Sequence, residues 1–403
     1  MNTKPCRVGA SVVSMASVVG TLSGISAGGP PLVVMQVSAP GANDPRDNIV
    51  GVVTPWVSTN SAAAEYAYGA QNPASYNGTH VQLVGNRSHL FFVDCALPDG
   101  LSMFVVHDRT NSGSGGRAKT FVRVVPTSPN VRIAVRDDPS DPTPCTYQDS
   151  DWLRWFVHNW EPNNTDGFVI SGLYGTWSDV VLAFVQPNVN CSLNTTSDPI
   201  VGLDEWYAYS ADGTGPIRLA LAQTQRVVVR PMTACEGIAW PSRVRVPCEG
   251  AAVFTASTTD DAATAYRWQR ETAPGSGQFV DLADGSTAAW DGGAAGVGAV
   301  VSGSSTGVVR IAADVANGKR IGAAHARGYR CVVTEPCGTI STSVARVLEC
   351  LADYNDDCEV DDFDYFDFLN AFLANSSAAD FNGDTSVDDF DYFDFLNAFN
   401  AGC

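Results

Sequence analysis

The last fifty residues constrain this chain most, because they contain one segment twice. Residues Ala352 to Ala374 recur as Ala379 to Ala401, at an offset of 27, with 18 of 23 positions identical. Val360 to Phe372 and Val387 to Phe399 are the same thirteen residues, VDDFDYFDFLNAF. Each copy opens with oxygen-bearing side chains at alternating spacing. Asp353, Asn355, Asp357, Asp361 and Asp364 fall at positions 1, 3, 5, 9 and 12 of a twelve-residue loop, and Asp380, Asn382, Asp384, Asp388 and Asp391 repeat the series.

That spacing has a physical cause. A hard cation such as Ca²⁺ takes six to eight oxygens, and a loop of EF-hand type supplies them from these positions plus the backbone carbonyl at position 7. Position 7 is Glu359 in the first copy and Ser386 in the second, so both complete the expected ligand sets. Val360 and Val387, at position 8, suit a short β-contact between paired loops. Beyond position 9 the period turns helical: Phe363, Phe366 and Leu369 lie three apart, with Tyr365, Phe368 and Phe372 on neighbouring rows. Each copy is therefore expected to be one metal loop followed by one helix, and the module to hold two calcium ions. The alternative is a pair of solvated acidic helices. Residues 350–403 carry 14 carboxylates and no Lys or Arg, which would then simply repel one another. Acidic runs that stay disordered are poor in aromatics, whereas the two thirteen-residue runs hold ten Phe or Tyr residues.

Residues 350–403 resemble a dockerin, the duplicated calcium-loop-and-helix module that docks secreted proteins onto cohesin partners. More narrowly the segment resembles the GC-type dockerin-like modules of planctomycete surface and secreted proteins, which end as here in Gly402-Cys403. The resemblance implies that the metal ligands carry over onto the positions named above and that the partner is a cohesin-like or other surface docking protein. Two positions depart from the pattern. Loop position 6, ordinarily glycine, is Cys358 and Thr385, which lowers the expected affinity; positions 10 and 11 are Asp362-Phe363 and Asp389-Phe390 instead of a Ser-Thr pair. A cellulosomal cohesin is accordingly not the expected partner.

The rest of the chain is organised differently. The formal charge of −19 is mostly local: without the 14 carboxylates of the tail, residues 1–349 carry only −5. No basic footprint for nucleic acid exists, and no later apolar run is long enough to be a transmembrane segment. At the N-terminus Lys4 and Arg7 precede an uncharged run from Val8 to Ile25, and Ile25-Ser26-Ala27 offers a cleavage site, so residues 1–27 read as a signal peptide and the protein as secreted, extracellular or at the cell surface. Of eleven cysteines Cys6 would leave with it, and ten remain for disulfides in an oxidising compartment. Cys350 and Cys403 flank the duplicated module and are expected to clasp it.

Residues 28–233 have the grammar of a jelly-roll-like β-sandwich, short Val-, Phe- and Thr-rich runs separated by Gly, Pro, Asn and Asp clusters. The expected strands are Val50–Val53, His89–Val93, Leu101–Val106, Thr120–Val125, Val131–Val135, Phe168–Ile170, Val180–Val185, Trp206–Tyr209, Ile217–Leu221 and Arg226–Val229. An aromatic cluster (Trp152, Trp155, Phe156, Trp160, Phe168, Tyr174, Trp177, Trp206, Tyr207, Tyr209) has two readings. Its rings either stack on sugars, with Asn159, Asn163, Asn164 and Asp166 for the hydroxyls, or fill the core between sheets. The acidic turn Asp137 to Asp141 is a second, weaker candidate for a structural calcium.

Residues 234–349 resemble a bacterial Ig-like β-sandwich: Val253-Phe254 in strand B, Tyr266-Arg267-Trp268 in C, Val308–Ile311 in E, and Tyr329 two residues before Cys331 in F, ahead of a last strand ending near Leu348. The position opposite Cys331 is apolar (Phe254, Ala256), so the usual bridge is missing; Cys248 is expected to pair with Cys337, which leaves Cys331 without a partner.

Catalytic constellations are scarce. Gly303-Ser304-Ser305-Thr306-Gly307 matches the nucleophile-elbow pattern but lies in a turn leading into a strand. The five histidines show no zinc spacing, and His158 beside Trp160 and Asp166 is the one cluster with chemical interest. The expectation is therefore a mainly β protein with a small helical tail, non-catalytic, docking its cargo through residues 350–403. A polysaccharide-binding or polysaccharide-degrading protein carried by a dockerin is the first alternative, and a structural envelope protein the second.

Overall fold

The computed structural model describes residues 30–38, 48–69, 75–125, 130–137, 145–146, 152–173, 179–184, 200–221, 225–233, 235–246, 250–259, 263–287, 297–336, 338–348, 352–355, 360–381 and 386–401. The expected signal segment, the Cys350–Cys403 clasp and the Cys248–Cys337 pair lie outside the described residues. The chain is mainly β with several sheets and a helical C-terminal part. It divides into two compact units, Met1–Ala234 and Cys235–Cys403.

In the first unit one sheet runs, edge to edge, Asn48–Val53, Leu32–Ser38, Gln225–Pro231, Asp179–Phe184, Gly116–Val125, Trp152–Trp160 and Cys145–Thr146, with Ile200–Val201 also on Gly116–Val125. The other runs Ile217–Leu219, Glu205–Ala208, Arg87–Asp94, Leu101–His107, Asp166–Ser171 and Arg132–Arg136, with Trp56–Val57 beside Arg87–Asp94. Each of the ten expected runs overlaps a strand, with ends that differ by a few residues at most. A single core takes Val34, Val122, Phe156, Leu182 and Val229 from the first sheet and Leu90, Phe92, Met103, Phe168 and Trp206 from the second.

The apolar runs at His89–Val93 and Leu101–Val106 do not alternate, and the structure gives the reason. Leu90 pairs with Val105 and Phe92 with Met103 on the face turned to the shared core, while Phe91 pairs with Phe104 on the opposite face. That second face is covered too, by a short helix, α1 (Ala62–Tyr66), whose Tyr66 ring stacks on Phe104 at 6.4 Å. Both faces of these strands are dry, so a continuous apolar run is what they require.

The second unit has a sheet ordered Gly237–Trp240, Ala251–Thr258, Val308–Ala313, Ala299–Ser302 and Gly285–Ser286. A further sheet is ordered Arg243–Arg245, Ala345–Leu348, Gly328–Glu335, Ala265–Glu271 and Phe279–Asp281, with Gly338–Ser341 on Gly328–Glu335. Phe254, Trp268, Tyr329 and Cys331 share one core with Val309 and Ile311. The Tyr329 hydroxyl donates to the His325 carbonyl at 2.9 Å, pinning the chain just before its strand. Buried Glu271 accepts from the backbone N–H groups of Gly328 (2.8 Å), Gly275 (3.1 Å) and Gly277 (3.3 Å) and from Arg346 (3.1 Å), tying a hairpin to two neighbouring strands. Cys331 is a free thiol, as expected, and Cys95 is free against the expectation of a disulfide; both are buried and behave as small apolar side chains in cores.

The unit ends in two helices, α2 (Asp362–Leu373) and α3 (Asp389–Ala401), one from each copy of the duplicated segment. They pack through a small aromatic core centred on Phe368 and Phe395.

Candidate metal centre

Each loop is described at its two ends. Asp353, Asn355, Asp361 and Asp364 of the first copy and Asp380, Ser386, Asp388 and Asp391 of the second are placed, whereas Asp357, Glu359, Asn382 and Asp384 lie outside the described residues. The ends are built alike. Asp361 caps α2, its Oδ1 accepting from Phe363 N at 2.8 Å, and Asp364 answers by accepting from Asp361 N at 2.9 Å. This reciprocal capping box satisfies donors that the first helical turn would otherwise leave bare. The second copy repeats it: Asp388 accepts from Phe390 N at 2.9 Å and Asp391 from Asp388 N at 2.9 Å.

The position-12 aspartates do more than cap. Oδ1 of Asp364 accepts from Asn355 N at 3.0 Å, so one carboxylate grips both the beginning and the end of its loop. Asp391 does the same through Phe381 N at 2.8 Å, one loop position earlier than in the first copy. Both aspartates are fully buried, and the Oδ1 atoms of Asp353 and Asp380 are buried as well. Taking a carboxylate out of water is costly unless N–H groups or a cation face it. Residues 350–403 contain no Lys or Arg to serve as that cation. The donors on hand are oxygens throughout, which suits a hard ion such as Ca²⁺ better than a nitrogen- or sulfur-seeking one. Among the described residues no group of three or more His, Cys, Asp or Glu side chains is gathered into a metal-holding cluster. What the structure brings together is Asp361 with Asp364 and Asp388 with Asp391, at the exit of each loop.

The aromatic core shows how the duplication is used. Phe368 and Phe395 stack face to face, centroids 4.0 Å apart and planes 7° off parallel. Around them each contact has a counterpart 27 residues on: Tyr354 against Phe368 (5.4 Å) and Phe381 against Phe395 (5.6 Å), Tyr365 against Phe399 (6.1 Å) and Phe372 against Tyr392 (5.7 Å). The Tyr365 and Tyr392 hydroxyls meet at 3.1 Å. The two copies thus form an internal pseudo-twofold pair, with the fixed loop ends at the start of each helix.

Sequence reasoning missed the exposed half of these helices. Phe363, Phe366, Phe390 and Phe393 are 68%, 55%, 71% and 58% exposed. The signal was present: each helix carries more apolar residues than one buried stripe can hold.

Elsewhere the chemistry is quieter. In the first unit Trp152, Phe156, Trp160, Phe168 and Trp206 are buried in the shared core, which removes them from any sugar platform. Trp155, Tyr207 and Tyr209 are half-buried, and Tyr174 and Trp177 lie outside the described residues. Asp137 accepts from the buried Tyr66 hydroxyl at 2.5 Å, while Asp138 and Asp141 lie outside the described residues. His158 does meet Asp166, Nδ1 to Oδ1 at 2.8 Å, and Trp160 donates to Asp108 at 3.1 Å. His158 and Asp166 are 1% and 2% exposed, so no substrate reaches the pair. Gly303 to Gly307 form the turn between two antiparallel strands, closed by Thr306 N to Gly303 O at 3.0 Å, with no helix after it as an elbow needs. Compared with protein-family models and with curated proteins, the chain matches none.

Proposed function

We propose that this is an exported, non-catalytic docking protein, whose C-terminal dockerin-like module takes up two calcium ions and attaches a β cargo to a partner protein. In this proposal the cargo is a jelly-roll-like β-sandwich, residues 28–233, followed by an Ig-like one, residues 234–349. The Ig-like assignment draws support from the buried Trp268 and from Tyr329 bonding back to the His325 carbonyl.

The observation that carries the proposal is the duplicated loop end. Two identical buried aspartates each hold both ends of an oxygen-lined loop, in a segment of 14 carboxylates with no internal cation. Asp353, Asn355, Asp357, Asp361 and Asp364, with the Glu359 carbonyl, would hold one ion. Asp380, Asn382, Asp384, Asp388 and Asp391, with the Ser386 carbonyl, would hold the other. The bound ions supply positive charge between mutually repelling carboxylates, which couples metal uptake to folding of the module. Calorimetric titration of the full chain with Ca²⁺ is expected to show two binding events and a gain of far-ultraviolet helix signal. Asp353→Ala with Asp380→Ala should abolish both. Absence of heat at millimolar Ca²⁺ in the unaltered chain would refute calcium-dependent docking.

A further inference from the structure

The duplication would by itself present the same face twice, yet the two faces differ. Of the five positions at which the copies disagree, Tyr354/Phe381 lies in the aromatic core, and Asp356/Gly383, Cys358/Thr385 and Glu359/Ser386 lie in the loops. The fifth is on the outer surface of the helices: Leu373, 74% exposed, stands where the second copy has Asn400. Leu373 closes one side of an open cavity of about 480 Å³, lined also by Phe372, Val387, Asp388, Asp389 and Phe390. The counterpart positions 27 residues away are Phe399, Val360, Asp361, Asp362 and Phe363, with the polar Asn400 in place of the leucine.

Asn400 sits in the same turn of an otherwise identical helix, so folding does not demand an apolar residue there. A leucine three-quarters exposed beside a phenylalanine 71% exposed is unfavourable surface for an isolated module. Its neighbours outside the two ligand sets are carboxylates: Asp389 is exposed at the cavity, Asp362, Asp367 and Asp394 elsewhere on the two helices. Charge complementarity selects the occupant. A second copy would bring another 14 carboxylates, and an anionic lipid surface would be repelled.

We propose that the module docks in one orientation only, by taking an aliphatic side chain from a Lys- or Arg-rimmed protein surface into the cavity between Leu373 and Phe390. This rests on the docking function proposed above and adds to it the partner's chemistry and the non-equivalence of the copies. An apolar anchor inside a charged rim is how such interfaces divide affinity from orientation.

The test uses the full chain in Ca²⁺ and a fluorescent amphipathic helical peptide with a leucine stripe flanked by lysines. A matched peptide carries glutamates in place of the lysines. The lysine peptide is expected to bind with a stoichiometry of one. Leu373→Asn should weaken it about tenfold or more, the scale of withdrawing a leucine's apolar area from a contact. Asn400→Leu should raise the stoichiometry to two. The inference is overturned if the lysine peptide does not bind, if the glutamate peptide binds equally, if Leu373→Asn has no effect, or if the unaltered chain binds two peptides. Ca²⁺-dependent self-association lost in Leu373→Asn would assign the face to a second copy, which also overturns it. Calorimetry on the same samples separates the two proposals: normal calcium uptake with no discrimination at Leu373 sinks this inference alone, and discrimination without calcium uptake sinks only the calcium-dependent function.

Discussion

His89 is a buried polar residue whose role follows from its hydrogen bonds. Its Nδ1 meets the Val106 carbonyl at 3.1 Å, and its Nε2 faces Val84 N–H at 3.0 Å. The second contact requires Nε2 to be an acceptor, so the ring is neutral with its proton on Nδ1. Burial, aided by the nearby Arg87 charge, brings its pKa down to about 4, and His107 is pushed well below its ordinary value chiefly by burial and then by His158. In the unfolded chain His89 titrates near 6.5. Between pH 6.5 and 4 the unfolded state therefore binds a proton that the folded state refuses, and stability falls as pH falls through that window. The loss from His89 is on the order of 3 kcal/mol. Urea midpoints of the full chain, followed by tryptophan fluorescence, should drop from pH 7 to pH 4.5. His89→Gln, which keeps an acceptor for Val84, should flatten that slope, and an unchanged slope would count against the assignment.

Among the elements, α2 and α3 owe their existence to one another. Helices of twelve and thirteen residues with carboxylates on both faces would be marginal alone. Caps at Asp361 and Asp388 and the stacked Phe368 and Phe395 make the pair worth forming. Phe368→Ala and Phe395→Ala should each cost the module about 3 kcal/mol or more, since each empties the centre of a small core. The double mutant should cost less than the sum by roughly 1 kcal/mol, the coupling of a stacked pair. Chemical denaturation read by far-ultraviolet circular dichroism measures it, and strict additivity would show that the rings do not interact. Both helices and their starts were legible because the signal was local: a period that turns helical just after Asp361 and Asp388. Exposure of Phe363 and Phe390 was not, because a helix apolar on two faces does not say which face finds a neighbour. Trp152–Trp160 was read as an aromatic cluster and not as a strand. Its alternation of Trp152, Phe156, His158 and Trp160 toward one side becomes meaningful only once Gly116–Val125 lies beside it.

At the scale of the whole molecule, the described residues gather into distinct cores: in the first unit around Phe168 with Trp206 and, beneath α1, around Phe91 with Phe104, then around Trp268 with Tyr329, and in the tail around Phe368 with Phe395. All nine tryptophans belong to residues 1–349, and none to the helical tail. Chelation should therefore move only the thermal transition that carries the loss of helix signal, leaving the tryptophan fluorescence transition in place. A tryptophan transition that shifts with EDTA by the same amount would contradict that independence. The amino-acid sequence alone determined the β character, a strand at each of the ten expected places in residues 28–233, the two C-terminal helices and the acidic net charge. Each of these depends on residues within about one turn or one strand of each other, or on charge simply counted. Only the tertiary structure decided that Arg87–Asp94 and Leu101–His107 are covered on both faces, that five of the clustered aromatic rings belong to a core, and that Cys95 stands as a free thiol. It also decided that Leu373 and Phe390 are left facing water. Those outcomes depend on which distant segment arrives to cover a side chain, and burial is a property of the pair, not of either residue.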